Sequence, residues 1–310
     1  MTRAVVFAYH NVGVRCLKVL LAHGVEVALV LTHPDAPGEN IWFESVADTA
    51  ACYGLEAVRP ADPNTPDWVA RVAALQPDFV FSFYYRHMLC DALLGAARRG
   101  AYNMHGSLLP RYRGRVPVNW AVLHGERETG ATLHAMLAKP DAGAIAGQMA
   151  VPILPDDTAR EVFDKVTLAA EIVLDRALPG LIDGSLVLRP QNLAEGSYFG
   201  GRKPSDGQID WRQAAPQIHN LVRAVAPPYP GAFCPLAGAR LQIDATRVPA
   251  HAVPAAGGAG LYARGGRLYA DCGGGGVLEI LRASLDGAAL DAAGFAARFG
   301  ERKLNFEDPT

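Results

Sequence analysis

Three residues of this sequence have the chemistry of acyl transfer to an amine: Asn103 and His105, two apart, and Asp141 further on. An amine that attacks a carbonyl carbon must lose a proton, while the carbonyl oxygen gains negative charge. His105 can take that proton and return one to the leaving nitrogen. Asn103 can donate an amide hydrogen to the charged oxygen; deleting such a donor typically costs ~10²–10³ in rate. Asp141, if adjacent, favours the imidazolium and raises the pKa of His105. No covalent intermediate is needed, in keeping with the lack of a positioned serine or cysteine nucleophile. The residues alone leave a plainer reading open. An Asn-x-His at a strand end also serves as a polar cap, and an aspartate beside Gly143 also serves a turn.

Other reactive motifs are missing from the sequence. The first strand runs through Tyr9-His10 to Gly13 without GxGxxG, so no NAD is expected. No GxxxxGK[ST] cradles phosphates. Without HExxH or paired Cys/His spacing, no metal is expected. No GxSxG elbow presents a hydrolase serine. The glycines at 273–276 read as a hairpin turn, because no helix N-terminus follows. His134, in TLHAM, reads as a hydrogen-bonded core histidine rather than a catalyst.

The elements that must position these residues alternate. Residues 3–10 (RAVVFAYH) and 25–32 (VEVALVLT) read as strands, and 78–85 (DFVFSFYY), apolar on both faces, as a central parallel strand. Residues 14–23, 44–53 and 67–75 read as helices, the first closed by Gly24. Residues 103–115 (NMHGSLLPRYRGR) are too rich in Gly and Pro for a helix and read as a loop leaving a short strand. A strand at 132–136, a turn at 139–143 and a helix at 158–182, interrupted by Pro179, follow. The rhythm is that of an α/β fold with a Rossmann-like, doubly wound parallel sheet, whose ligands bind at the carboxyl edge. After a helix at 213–223, short strands at 240–244, 260–262, 267–271 and 277–281, with Gly-rich turns, read as a smaller C-terminal OB-like β-barrel. Residues 249–260 read as a flexible loop and 291–299 as a last helix. The expected domains are 1–203, catalytic, and 204–310, the barrel.

Bulk properties narrow the function classes. The chain has 310 residues, half of them hydrophobic, and a net charge of −2, so a large core is within reach. No basic tail points to nucleic acid. No signal peptide opens the sequence and no run reaches the ~18 apolar residues of a membrane span. The five scattered cysteines, without CxxC, read as reduced, mostly buried thiols in the cytoplasm.

Several separated segments carry a resemblance. NMHGSLLPRYRGRVPVNWAVLHGERETGATLHAM, followed by KPDAGAIAGQ, resembles the formyltransferases that use 10-formyltetrahydrofolate. FAYHNVGVRCL, FSFYYRHMLCD, YFGGRKPSDGQIDW and LVRAVAPPYPGAF are similar, within that family, to the UDP-4-amino-4-deoxy-L-arabinose formyltransferase half of bifunctional polymyxin-resistance proteins. The likeness covers residues 1–245 well and the remainder loosely. It places the family's catalytic set on Asn103, His105 and Asp141. It places the folate site on His87, Met88 and Leu89, on Leu137, Ala138, Lys139, Pro140 and Asp141, and on Arg115, with main-chain groups reading the pteridine edge. The implied co-substrate is 10-formyltetrahydrofolate. The implied acceptor is the 4-amine of UDP-4-amino-4-deoxy-L-arabinose, in the cytoplasmic stage of lipid A modification. A cationic sugar there lowers the negative charge that attracts polymyxin and other cationic peptides. The bifunctional relatives carry a decarboxylating half, so the resemblance implies a stand-alone formyltransferase here, with any UDP-glucuronate decarboxylase partner a separate chain.

Rival readings have their own signatures. Another nucleotide-linked 4-amino sugar, such as a dTDP sugar, needs the same catalytic set. Methionyl-tRNA needs basic surface. Residues 204–310 carry ten Lys/Arg against ten Asp/Glu, and the loop at 33–40 is acidic where tRNA formyltransferases bear a basic insertion. Hydrolysis of the formyl donor and a non-catalytic folate- or sugar-nucleotide-binding module complete the set; the module is disfavoured by an intact catalytic trio. Tyr9, His10, Tyr84, Tyr85, Arg202, Lys203 and Arg223 are candidate sugar-nucleotide contacts. A structural reading stands beside each: one of the two tyrosines belongs to the core, and Arg202 and Lys203 suit a solvated connection.

Overall fold

The computed structural model describes residues 1–36, 38–251, 254–255, 257–300 and 302–306. The first half alternates β1 (Arg3–Ala8), α1 (His10–Ala22), β2 (Glu26–Leu31), α2 (Val46–Cys52), β3 (Ala57–Val58), α3 (Pro66–Ala74), β4 (Phe79–Phe83), α4 (Asp91–Gly95) and β5 (Gly100–His105). It continues through β6 (Arg113–Gly114), α5 (Pro117–Leu123), β7 (Glu128–Ala135), β8 (Ile145–Pro152), α6 (Ala159–Asp183) and β9 (Tyr198–Phe199).

The main sheet has the order β3-β2-β1-β4-β5-β7-β8. Its first five strands are parallel, and β7 and β8 add an antiparallel edge. β4 (FVFSF) is buried along its whole length, as a strand with a parallel neighbour on each side must be. The chain winds outward from β1 to β3 and then returns to the other side of β1. In open α/β sheets ligands bind beyond the carboxyl ends of the strands at such a reversal, which here lies between β1 and β4. Ala8 pairs with Phe83, and Phe83 with Met104. Tyr9, Tyr84 and His105 therefore follow these paired residues at one level of the sheet.

Several boundaries differ from expectation. β1 stops at Ala8 and α1 starts at His10, because His10 adopts a left-handed φ of 66° that ends the strand. Asn103, Met104 and His105 belong to β5 instead of a loop, held by pairing to β4 and β7 on both sides. β8 is unforeseen; its glycine and mixed burial hide the period of two. α6 runs through Pro179 unbroken. The ring costs about 3 kcal/mol in a helix interior. Leu174, Ala177, Leu178 and Leu181 stay buried around it, and each fully buried leucine contributes about 1.5–3 kcal/mol.

The remainder contains α7 (Ala215–Val225), β10 (Ala232–Leu236), β11 (Ala239–Arg247), β12 (Gly260–Arg264), β13 (Arg267–Asp271), β14 (Val277–Leu285), β15 (Ala288–Ala289), α8 (Ala292–Phe299) and β16 (Leu304–Asn305). These strands form a curled antiparallel sheet of order β10-β11-β14-β13-β12-β16, with β15 on β14. Trp211, Ile218, Val222, Leu241, Leu278 and Phe295 fill its core. Residues 273–276 form the hairpin turn between β13 and β14, closed by Cys272 N–H on Gly276 O at 3.1 Å. In the stretch 249–260, residues 252, 253 and 256 lie outside the described residues, as does residue 37 of the acidic loop.

The chain packs as two compact units. One comprises Met1–Pro117, Glu128–Pro152 and Phe163–Gly200; the other Val118–Arg127, Ile153–Val162 and Gly201–Thr310. The second unit thus draws on two short segments besides the C-terminal third. All five cysteines are free thiols, three of them buried. Among the described residues, no helix is long and apolar enough to cross a membrane.

Candidate active site

β5 and β7 build the centre. Side chains two apart on a strand share a face, and directly opposed residues of antiparallel strands share it too. Asn103 lies opposite His134, and His105 opposite Thr132. The register therefore collects all four side chains on one side of the sheet. Thr132 Oγ donates to Ser107 O (2.6 Å) and accepts from Leu109 N–H (3.2 Å) and from the Gln148 amide (2.9 Å). Gln148 also donates to Leu109 O at 3.0 Å. This knot fixes the Ser107–Pro110 turn, and Ser107 Oγ donates onward to Arg111 O at 2.7 Å. A Cβ on Gly106 would lie 1.9 Å from the Tyr84 hydroxyl, so a side chain there would displace Tyr84.

The turn delivers Tyr112 O to His105. Nε2 of His105 lies 2.8 Å from that carbonyl. A carbonyl only accepts, so Nε2 carries the hydrogen and Nδ1 is the basic nitrogen. Nδ1 faces Asp141 Oδ1 at 3.6 Å, and His134 Nε2 lies 3.5 Å from the same oxygen. Asp141 Oδ2 accepts from Gly114 N–H at 2.8 Å. His134 Nδ1 lies 2.8 Å from Ala135 O, and Nε2 lies 3.1 Å from Asn103 Nδ2. The same logic makes Nδ1 of His134 the donor and Nε2 the acceptor. The Asn103 amide thus gives one hydrogen to His134 and keeps a second.

Burial pushes the His105 pKa below its ordinary value. Asp141 and Tyr112 O act the other way, and His134 adds to the lowering. Asp141 does raise the pKa of His105, but desolvation of a ring whose side chain is 7% exposed outweighs it. Burial would also raise the Asp141 carboxyl. The positive charge that His105 and His134 carry when protonated, together with Gly114 N–H, outweighs that and holds it well below the usual carboxylate range. In the neutral range the pair is a carboxylate beside an uncharged imidazole, ready to accept a proton.

Backbone strain gathers here. His10, Tyr84, Tyr112, Val116 and Asp141 have φ between 46° and 66°. Such residues cost about 1–3 kcal/mol each and persist where the surroundings impose them.

The sequence matches the formyl transferase family over residues 11–178 and the formyl transferase C-terminal domain over residues 202–300. The chain belongs to the formyl transferase family. Solved structures share the fold. An N-formyltransferase from Helicobacter canadensis, in complex with folinic acid and dTDP-3-aminofucose, superposes with TM-score 0.72 at 19% identity, over 90% of this chain and 99% of that one. A sugar N-formyltransferase from a Shewanella species gives 0.63 at 19% identity, over 82% and 99%. HypX from Aquifex aeolicus, in complex with tetrahydrofolic acid, gives 0.64 at 18% identity, over 99% of this chain and 49% of that one.

In this formyl transferase the remaining candidates fall into groups. His87, Met88 and Leu89 lie in the segment between β4 and α4. Asn64 clasps it, donating to Met88 O (3.0 Å) and accepting from Cys90 N–H (2.8 Å). Leu89 is buried in a core cluster that also takes in Met136, at the end of β7. Met88 and Leu137 are 57% and 53% exposed, so both leave apolar surface open to a ligand. Ala138, Lys139 and Pro140 continue the turn to Asp141. Arg115 is exposed, its N–H on Phe199 O at 3.0 Å.

The sugar-nucleotide candidates divide. Tyr85 joins the core cluster and stacks on His33 at 4.0 Å. Tyr84 packs edge-on to Phe163 at 5.5 Å. Tyr9 is buried, donates to Asp35 (2.7 Å) and lies under the Arg86 guanidinium (4.5 Å). Arg86 in turn pairs with Glu39, so the acids of the 33–40 loop are tied inward. His10 stacks on Phe43 at 3.9 Å. In the second unit, Arg202 lies over Trp120 at 4.9 Å, Lys203 N–H meets Asp206, and buried Arg223 donates to Asp157 O at 3.0 Å.

His134 is hydrogen-bonded and buried, as its sequence suggests, but its partner is Asn103. Thr132-x-His134 on a strand was the available signal: the spacing puts both on one face. Gln148 and Gln191 gave none.

Proposed function

We propose that this formyl transferase moves the formyl group of 10-formyltetrahydrofolate onto the primary amine of a nucleotide-linked amino sugar. The observation that carries the reading is the single uncommitted nitrogen of His105, aimed at Asp141, beside an Asn103 amide with a hydrogen to spare. 10-Formyltetrahydrofolate supplies the one-carbon group, and the exposed Met88 and Leu137 with the Asn64-clasped segment fit a flat heteroaromatic ligand. Asn103 donates its second hydrogen to the formyl oxygen as the amine nitrogen bonds to the carbon. His105 Nδ1 takes a proton from that nitrogen, and Asp141 stabilises the charge this creates. The carbon–nitrogen bond to the folate breaks, and His105 returns the proton to the departing nitrogen. Folate-bound and aminosugar-bound neighbours of the same fold support this class of reaction.

Within the class, the motifs around β1, β4 and residues 198–211 favour UDP-4-amino-4-deoxy-L-arabinose, and with it lipid A modification and polymyxin resistance. A dTDP-linked amino sugar is the second reading, favoured by the dTDP-3-aminofucose complex. The test is formyl transfer from 10-formyltetrahydrofolate with UDP-4-amino-4-deoxy-L-arabinose, a dTDP-amino sugar and methionyl-tRNA as parallel acceptors. Turnover confined to the UDP sugar supports the first reading. Turnover confined to the dTDP sugar replaces the acceptor. Turnover with tRNA alone, or with none of the three, overturns the amino-sugar proposal.

A further inference from the structure

Asp141 sits in the turn between β7 and β8, whose ends are joined by Ala135 N–H on Ala144 O at 2.9 Å. Its φ of 51° is left-handed, a conformation that an aspartate adopts at a cost. Two residues on, the chain passes so close over the end of β7 that a Cβ on Gly143 would lie 1.9 Å from Ala135 O.

The support arrives from a distant segment. Ile145 and Arg189 exchange both backbone hydrogen bonds, at 2.7 and 2.9 Å, as one rung of an antiparallel ladder. In that register the next rung would pair Gly143 with Gln191. The side chain of Gln191 takes over instead. Its amide nitrogen donates to Gly143 O at 2.6 Å and to Asp141 O at 3.1 Å. Both hydrogens of the amide are thereby used. Turning the amide over would set its oxygen against two carbonyl oxygens, so its orientation is forced. The consequence is a buried Oε1 with no partner among the described residues, a strained arrangement of the kind that calls for an explanation.

We propose that Gln191 is a positioning residue that holds the main chain of Asp141 so that its carboxylate faces His105. The proposal rests on the reading of His105 and Asp141 given above. The labour divides between two donors. Gln191 fixes the backbone at Asp141 O, and Gly114 N–H fixes Oδ2. Oδ1 is left to face the two titratable groups that reach it, His105 from β5 and His134 from β7. Only an uncharged double donor of this length serves both carbonyls. A glutamate would bring negative charge to them, and a shorter amide would not span them.

The test compares Gln191→Met, close in volume but without donors, with Asp141→Asn and the double variant. In Gln191→Met, kcat is expected to fall at least tenfold, with KM for 10-formyltetrahydrofolate and for the amino sugar changing less than threefold. The acid limb of the kcat/KM profile shifts to lower pH, because His105 loses part of the carboxylate's support. In the double variant, Gln191→Met adds less than threefold to the loss in Asp141→Asn, since both act through one carboxylate. NMR titration of the His105 ring reads the same downward shift without turnover. An unchanged kcat and His105 titration in Gln191→Met, or fully multiplicative losses, overturn the proposal. If Asp141→Asn itself turns over like the wild type, the reading of the site fails. An impaired Asp141→Asn beside a normal Gln191→Met fails only the positioning role. Should Gln191→Met not fold, Gln191→Asn, which keeps the amide one bond short, decides by the same two readouts.

Discussion

Two buried histidines of this protein, His105 and His219, have nearly the same neighbours and different chemical standing. Each lies about a hydrogen bond and a half from a carboxylate: His105 Nδ1 is 3.6 Å from Asp141, and His219 Nε2 is 3.5 Å from Asp156. Burial pushes the pKa of each down. The difference is in the ring's other obligations. His219 spends both nitrogens, with Thr246 Oγ at 2.9 Å and Pro155 O at 3.0 Å. His105 spends one, on Tyr112 O. The carboxylates differ as well: the Asp156 side chain is 65% exposed and Asp141 only 13%, so water screens the first and hardly the second. A histidine with both nitrogens committed holds a fold together. One with a free nitrogen beside a desolvated carboxylate can move a proton.

The comparison breaks first on turnover. His105→Ala is expected to lose about 10²–10⁴ in kcat, the usual contribution of a positioned acid–base, while melting close to the wild type. His219→Ala should keep turnover within threefold and lose about 1–3 kcal/mol of stability from two unmade buried hydrogen bonds. Formyl-transfer assays beside calorimetry separate the two. A His219→Ala protein that is folded but inactive would end the distinction.

Asn103→Ala comes next, with about 10²–10³ lost in kcat and little change in KM. A loss confined to KM would reassign the amide to substrate binding.

Asp141→Asn sharpens the electrostatic half of the comparison. Its loss should be smaller than the ~10⁴-fold of a histidine whose tautomer the aspartate itself sets, because Tyr112 O sets it here. The acid limb of kcat/KM should move to lower pH, as removing the carboxylate leaves only Tyr112 O to oppose burial. Asp156→Asn should leave the profile where it was. A pH-rate series on both variants checks this.

The smallest effect concerns acid stability. His33, His105 and His219 are all lowered on folding, His33 to about 4. Each ring binds a proton more readily when unfolded. Their contribution is therefore fully present above the ordinary value near 6.5 and is lost as pH falls toward the folded one. The melting temperature should drop between pH 7 and pH 5, and drop less in His33→Gln. An equal drop in that variant would show that His33 carries none of the acid sensitivity.

Much of this architecture is legible in the sequence. Apolar runs of strand length separated by helical periods specify the parallel sheet, because burial on both faces admits few other patterns. Asn103-x-His105 is legible as a pair suited to acyl transfer, but the Gly- and Pro-rich run that follows reads as a loop, and only pairing to β4 and β7 gives the two side chains a shared strand face. Asp141 fits the same chemistry. The antiparallel edge was harder to see: β8 carries a glycine and half-buried residues that blur its alternation. The helix at 158–182 is legible, but not its continuity at Pro179, because tertiary burial, which no local signal reports, overrides the proline.

What the sequence by itself determined is the inventory: an amide, an imidazole and a carboxylate of the types acyl transfer needs, carried on motifs of the formyl transferase family. What only the tertiary structure decided is their state. The β5–β7 register sets His134 against Asn103 and so orients the amide. The turn after β5 commits one nitrogen of His105 and frees the other. Gln191, fifty residues from Asp141 along the chain, closes the turn that aims the carboxylate. Hydrogen bonds and desolvation depend on distances of a few ångströms between segments far apart in sequence, and those distances exist only once the chain has packed.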